Sequence, residues 1–219
     1  GTVTVRFYAN GVADYVTVNR SLPTMSNGAL IYSGYGRSAT GSSTPLWLAL
    51  AEKAYVQWNE TGKTGRGGAD ANQNTYTSIE GGWMGDVNAQ ALGYSSTNFA
   101  VNSTNKQNLI NSLNSGLAVT IGTTQGASAG GLVGSHAYVV TSYNATTDAF
   151  SFFNPWNTSH PSALTWNQMQ GQTSFFVVTS PSGSGFNGAR VSGSIAAATL
   201  ETYVETAKAP LAAATRVNE

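Results

Sequence analysis

The chain has 219 residues, with Lys+Arg and Asp+Glu balanced at 10 each and charged residues only 9% of the total. That length carries one substantial domain or two small lobes sharing a cleft, and the balance leaves no net field to draw in nucleic acid. The chain contains no cysteine, which excludes disulfides, thiolate metal sites and a cysteine nucleophile among these residues.

No apolar run reaches the roughly 18 residues that a helical membrane span needs. The polar surface must come from Ser, Thr, Asn, Gln and Gly, a texture common in exported bacterial proteins. A secreted or cell-surface location is therefore expected. The opening GTVTVRFYANG has no basic start and no apolar block, so it is not a signal peptide. It reads as a strand already in progress, which implies a longer precursor, cleaved or truncated.

TVTVRFY and DYVTVN alternate with period two around the turn ANGVAD, predicting a hairpin over residues 2–19. Residues 21–43 are Gly/Ser-rich and aperiodic, an exposed loop with Arg37 open to proteolytic nicking. Thr44 as N-cap and Pro45 at the first position start a helix over 45–59. Its stripe is Leu46, Leu50, Ala54 and Trp58, widened by Trp47, Ala51 and Tyr55. A polar loop, TGKTGRGGADANQNTY, follows. EGGWMGDVNAQALGY then reads as a turn and a short helix. NSTNKQNLINSLNSG reads as another helix, capped by Ser103 or Thr104 and closed by Gly116.

Beyond Gly116 the texture is strands, over 117–122, 136–144, 149–154 and 174–180. Hairpin, helices and then antiparallel strands make an α+β chain. Residues 181–193 look like a linker, and the tail could form a helix that Pro210 stops.

Chemistry concentrates in GSHAYVVTSYNATTDAFSFFNPW. His136 opens a strand after a glycine-rich loop that lets backbone approach a ligand closely. If 136–143 and 149–154 pair through NATTD, His136 and Asn154 meet at one edge of the sheet. A carboxamide oxygen would then fix the ring tautomer, the base half of a nucleophile–His–Asn arrangement. Trp156 would cover that hydrogen bond and exclude water, with Pro155 pinning the turn. The plain alternative is a core-edge histidine with no chemistry.

GSHAYVVTSYN followed by FFNPWN resembles the His and Asn motifs of the calpain-like cysteine peptidases, a branch of the papain-like group. PLWLALAEKAYVQWN is similar to the family helix, with its Leu-Trp and Glu-Lys-Ala-Tyr run. GRGGADANQNTYTSIEGGW is similar to the stretch that carries two Gly-Gly pairs. VADYVTVNRSLP resembles the strand that ends in Asp-Arg-Leu-Pro, with Asn19 replacing the acid. The resemblance runs in order over about residues 3–180.

The resemblance implies a two-lobed papain-like α+β fold and an endopeptidase with a Cys-His-Asn triad. His136 is then the base, Asn154 the orienting amide and Trp156 the shield. Gly67, Gly68 and Ser135 would bind substrate through their backbone, Ser135 standing where the family usually has Gly. Gly81 and Gly82 would mark the junction of the lobes. Residues 1–81 would be the C-terminal part of the helical lobe, 82–180 the β-rich lobe and 181–219 a linker and helical tail. The expected partners are a protein or peptide substrate and an N-terminal segment of the same precursor that bears the cysteine.

The departure is that nucleophile, which the family carries on a helix upstream of the opening hairpin. Ser42 and Ser43 precede a helix, but the family match gives that helix a packing role away from the base. His160, beside a proline, reads as exposed and non-catalytic. Asp70, Glu80, Asp86 and Asp148 form no dense oxygen cluster. Backbone carbonyls could still ligate calcium, but the sequence does not support it, and no cofactor is expected. Trp83 and Trp166 could line the cleft, although core packing suits both. One rival is a degenerate peptidase fold that serves as a binding or scaffold module. Another is a transglutaminase-like acyltransferase, against which Asn154 argues because those enzymes favour Asp there.

Overall fold

A computed structural model describes residues 1–32, 46–156 and 159–181. Thr44, Pro45, Ser42, Ser43, Arg37 and the expected tail helix lie outside the described residues. The described part has both helices and antiparallel sheets, so the fold class is α+β.

β1 (Thr2–Ala9) and β2 (Val12–Asn19) form the expected hairpin, with Ala9 opposite Val12 across a turn at Asn10 and Gly11. Both turn residues have positive φ, which suits an Asn-Gly pair and matches the twist of the strands. One face of the hairpin meets α1 (Trp47–Glu60). Phe7, Val16, Val18, Ala54, Tyr55, Val56, Trp58, Tyr76 and Ile79 make one apolar cluster there. Phe7 stacks on Trp58 at 5.0 Å, and the Trp58 indole nitrogen donates to Asp14 Oδ2 at 2.8 Å. Lys53 donates to Asn19 Oδ1 and to the Ser21 carbonyl, both at 2.7 Å. The amide thus still holds the lysine where the sequence lacks the acid. The stripe expected along α1 is corrected at its start. Leu46 and Trp47 are exposed, and burial begins at Leu48.

α2 (Met84–Leu92) touches both the hairpin and the larger sheet. Gln90 accepts from the Tyr55 hydroxyl and donates to the Thr64 carbonyl. At the C-cap, Gly93 sits at φ 68° against the Tyr8 ring, where an added Cβ would lie 2.8 Å from the nearest ring carbon. Asn88, on the same helix, donates to the buried Thr179 hydroxyl of the larger sheet at 2.8 Å.

The larger sheet has six strands among the described residues, in the order β3-β8-β4-β5-β6-β7. They are β3 (Ser95–Ala100), β4 (Ala118–Thr123), β5 (Ala137–Asn144), β6 (Ala149–Phe153), β7 (Leu164–Thr165) and β8 (Thr173–Ser180). Its main core holds Leu109 of α3 (Lys106–Asn114), Trp166 and Met169 of α4 (Trp166–Gln170), and the alternate residues Val119, Ile121, Tyr138, Val140, Phe150, Phe152, Phe176 and Val178. Met84, Ala137 and Val177 pack on the opposite face.

β3 is a strand that the sequence reading did not include. SSTNFA is too polar for the usual strand pattern, and it is held as a strand by pairing along β8. The cap of α3 is also corrected. The N-cap is Asn105, without a side-chain cap bond, rather than Ser103 or Thr104, and Asn102 Oδ1 braces the turn before it by accepting from the Thr104 and Asn105 N–H groups. Among the described residues, no helix is long and apolar enough to cross a membrane.

Candidate active site

β5 and β6 are antiparallel partners through the NATTD turn, with Val139 opposite Phe153 and Val140 opposite Phe152. Asn144 Oδ1 fastens that turn by accepting from the Thr146 and Thr147 N–H groups. One step further along the register, Asn154 falls opposite Tyr138, two residues from His136 and on the same face of the sheet. Side chains two apart on a strand share a face, so the register brings the imidazole and the carboxamide together.

His136 Nε2 and Asn154 Oδ1 are 3.0 Å apart. The same oxygen accepts from the Trp156 main-chain N–H at 3.1 Å, and Asn154 Nδ2 donates to the Ser159 carbonyl at 3.3 Å. These contacts orient the amide with its oxygen toward the ring, so Nε2 must carry the proton and donate. Nδ1 is then the basic nitrogen. The Trp156 ring lies 4.3 Å from the imidazole, tilted by 35°, and the Tyr138 ring meets it edge-on at 4.8 Å. Asn154 is wholly buried and His136 is 4% exposed, so their hydrogen bond is shielded from competing water.

The end of β4 and the glycine-rich loop hold the His136 main chain. Thr123, last residue of β4, donates its N–H to the His136 carbonyl at 2.8 Å, and its hydroxyl accepts from the His136 N–H at 2.8 Å. That hydroxyl also lies 2.7 Å from the Val133 carbonyl. The Tyr138 hydroxyl accepts from the Val133 N–H at 2.8 Å. At Gly134 an added Cβ would lie 2.0 Å from the Gln125 carbonyl oxygen, so the loop can close only on glycine. Ser135, exposed, takes the left-handed conformation at φ 49°. Thr123 and Tyr138 carry no separate mark of this role in the sequence, because both belong to the ordinary alternation of their strands.

Gly67 and Gly68 lie on the exposed loop after α1. Gly67 is extended, at φ −112° and ψ 173°, a conformation open to any residue, and an added Cβ there would meet nothing within 4 Å. The fold itself does not demand a glycine at 67. Gly68 is different, at φ +65°. Between this loop and Gly81–Gly82, Arg66 acts as a clamp. Its guanidinium donates to the carbonyls of Ser78, Ile79, Glu80 and Gly81 at 2.6–3.3 Å.

The remaining candidates divide plainly. Trp166 belongs to the core and donates to the Asn102 carbonyl at 2.9 Å. Trp83 is 42% exposed and stacks on Phe175 at 4.5 Å. Asp148 is engaged by Lys106 and by the Tyr143 hydroxyl, and these bonds hold its carboxyl below the usual carboxylate range. Burial raises Glu80. Among the described residues, no group of three or more His, Asp or Glu is arranged to hold a metal ion. His160 is exposed, as expected, yet its Nδ1 accepts from the Asn154 main-chain N–H at 3.1 Å.

A family model described as calpain family cysteine protease matches residues 1–170. No curated protein matches the chain.

Proposed function

The chain belongs to the calpain family of cysteine proteases, and from that premise we propose that it carries the base and the orienting amide of a Cys-His-Asn endopeptidase. The thiol then comes from a segment of the same precursor outside these 219 residues, which contain no cysteine. The observation that carries the reading is the oriented pair: Nε2 of His136 bonded to Asn154 under the Trp156 ring, which leaves Nδ1 as the base. Two separate apolar clusters, one within residues 7–79 and one within 101–178, support a papain-like division into lobes near residues 81 and 82.

In the proposed reaction, Nδ1 of His136 takes the proton of the cysteine thiol, giving a thiolate–imidazolium pair. The thiolate attacks the peptide carbonyl carbon, a C–S bond forms and the carbonyl electron pair moves onto oxygen. Collapse breaks the C–N bond, and the amine leaves with the Nδ1 proton. Water then gives a proton to Nδ1 and attacks the thioester, and the thiol is regenerated. Asn154 keeps the ring in one tautomer throughout. The backbone of Gly67, Gly68 and Ser135 would pair with an extended peptide, a form of recognition tolerant of sequence. These steps use no cofactor.

The test is mass spectrometry of the purified protein under mild denaturation, followed by a thiol-reactive peptide electrophile. A co-purifying cysteine peptide that the reagent labels, with labelling lost in His136→Ala, is the expected result. Labelling that survives His136→Ala would refute the assignment. The absence of cysteine equally favours a binding or scaffold module on the same fold. That reading gains if no cysteine segment accompanies the chain and the precursor gene encodes none.

A further inference from the structure

We propose that His160 is a positioning residue that holds Asn154 in place through its main chain, an inference that rests on the peptidase reading given above. Asn154 is wholly buried, so its N–H must find an acceptor inside the protein. The β5–β6 ladder stops supplying one at this point, since Val139–Phe153 is its last pair. The acceptor is His160 Nδ1, at 3.1 Å. The neighbouring Ser159 carbonyl takes the side-chain Nδ2 at 3.3 Å. Two adjacent residues thus hold the backbone and the side chain of the amide that orients His136.

Local structure explains how an exposed ring reaches inward. Ser159 sits in the left-handed region at φ 52°, which turns the chain back toward β6. Pro161, buried, follows His160 and restricts it to extended backbone. The imidazole rests against the Phe153 ring at 4.6 Å, so apolar contact fixes its plane while Nδ1 faces the Asn154 N–H. Accepting at Nδ1 requires a neutral ring with its proton on Nε2. His160 does not touch the reacting atoms. It sets the position of Asn154, and Asn154 sets the tautomer of His136.

The test uses 15N-labelled chain and needs no activity. His160 should show Nε2 protonated and Nδ1 as acceptor, and His136 should give a slowly exchanging Nε2–H signal. His160→Ala should speed exchange of the Asn154 amide and of the His136 Nε2–H by about tenfold, the cost of one hydrogen bond. His160→Asn carries an acceptor near the Nδ1 position and should restore both. His160→Gln, whose acceptor lies nearer the Nε2 position, should not. Unchanged exchange in His160→Ala overturns the proposal, as does equal rescue by Asn and Gln. If Ala fails to fold, the Asn–Gln pair still decides. Where the chain is joined to its thiol segment, His160→Ala should lower kcat about tenfold or more with KM little changed. Wild-type protein that shows the NMR signatures but never labels or cleaves would sink the peptidase reading and leave the positioning role standing.

Discussion

The two stretches that the proposed reaction needs are built by different physics. The imidazole and its amide are aligned by strand register: β4, β5 and β6 bring Thr123, His136 and Asn154 together at one end of these strands, and short bonds finish the job. The Gly67–Gly68 loop belongs to no strand. It is tied down by side chains that bond to backbone carbonyls. Asn59, wholly buried on α1, donates to the carbonyls of Asp70 and Gln73 and to the Ser78 hydroxyl, and accepts from the Thr64 hydroxyl. Arg66 adds its four carbonyls from the other end. A register tolerates the loss of one bond, because its neighbours keep the spacing. A loop held by only two side chains does not.

The largest expected effect tests that difference directly. Asn59→Ala leaves two carbonyls and two hydroxyls without their buried partner, and should cost about 3 kcal/mol by chemical denaturation. Hydrogen exchange should quicken over residues 61–79 while β4 and β5 keep their protection. Equal loss of protection in the six-stranded sheet would show that the two regions are not independently held.

A pair of glycine substitutions sharpens the comparison. In Gly134→Ala the new methyl collides with the Gln125 carbonyl, an atom of the backbone that cannot swing aside. The expectation is a loss of about 2 kcal/mol and displacement of the His136 signal. Gly67→Ala has open space and an ordinary backbone conformation. Its stability should change by less than about 0.5 kcal/mol, while in the chain joined to its thiol segment KM for a peptide should rise about tenfold with kcat preserved. Unaltered KM in Gly67→Ala would remove that glycine from the substrate wall.

What could be read from the sequence follows the same divide. The hairpin, α1, β5 and β6 were legible because periods of 2 and 3.6 are carried by the residues themselves, and the NATTD turn fixed which strand ends would meet. The His136–Asn154 pairing followed from that register. The Asn59 and Arg66 ties were not legible, since their acceptors are main-chain carbonyls with no sequence signature. β3 was missed because its polar residues become a strand only beside β8. α4 is short, and its one sequence mark is the capping box of Thr165 and Gln168. His160 looked idle because exposure says nothing about a ring nitrogen that reaches a backbone N–H.

The smallest expected effect isolates charge within the first region. Asp14 joins the hairpin to α1, accepting from Lys63 at 2.7 Å and from the Trp58 indole at 2.8 Å. The Lys63 bond, followed by the Trp58 bond, holds its carboxyl below the usual carboxylate range. An acid whose folded pKa is depressed stabilises the fold above its unfolded pKa, near 4, and that contribution fades as pH falls through the folded value. Asp14→Asn keeps an oxygen for the indole and deletes only the charge. Because the pair is only partly buried, wild type should exceed the variant by only about 0.5 kcal/mol at pH 6, and by less in high salt. Urea midpoints of the two proteins should converge near pH 2, since the protonated acid and the amide are then equivalent acceptors. A gap that persists undiminished at that pH would mean that Asp14 acts through shape rather than charge. In that case even the polar ties of this region would rest on packing.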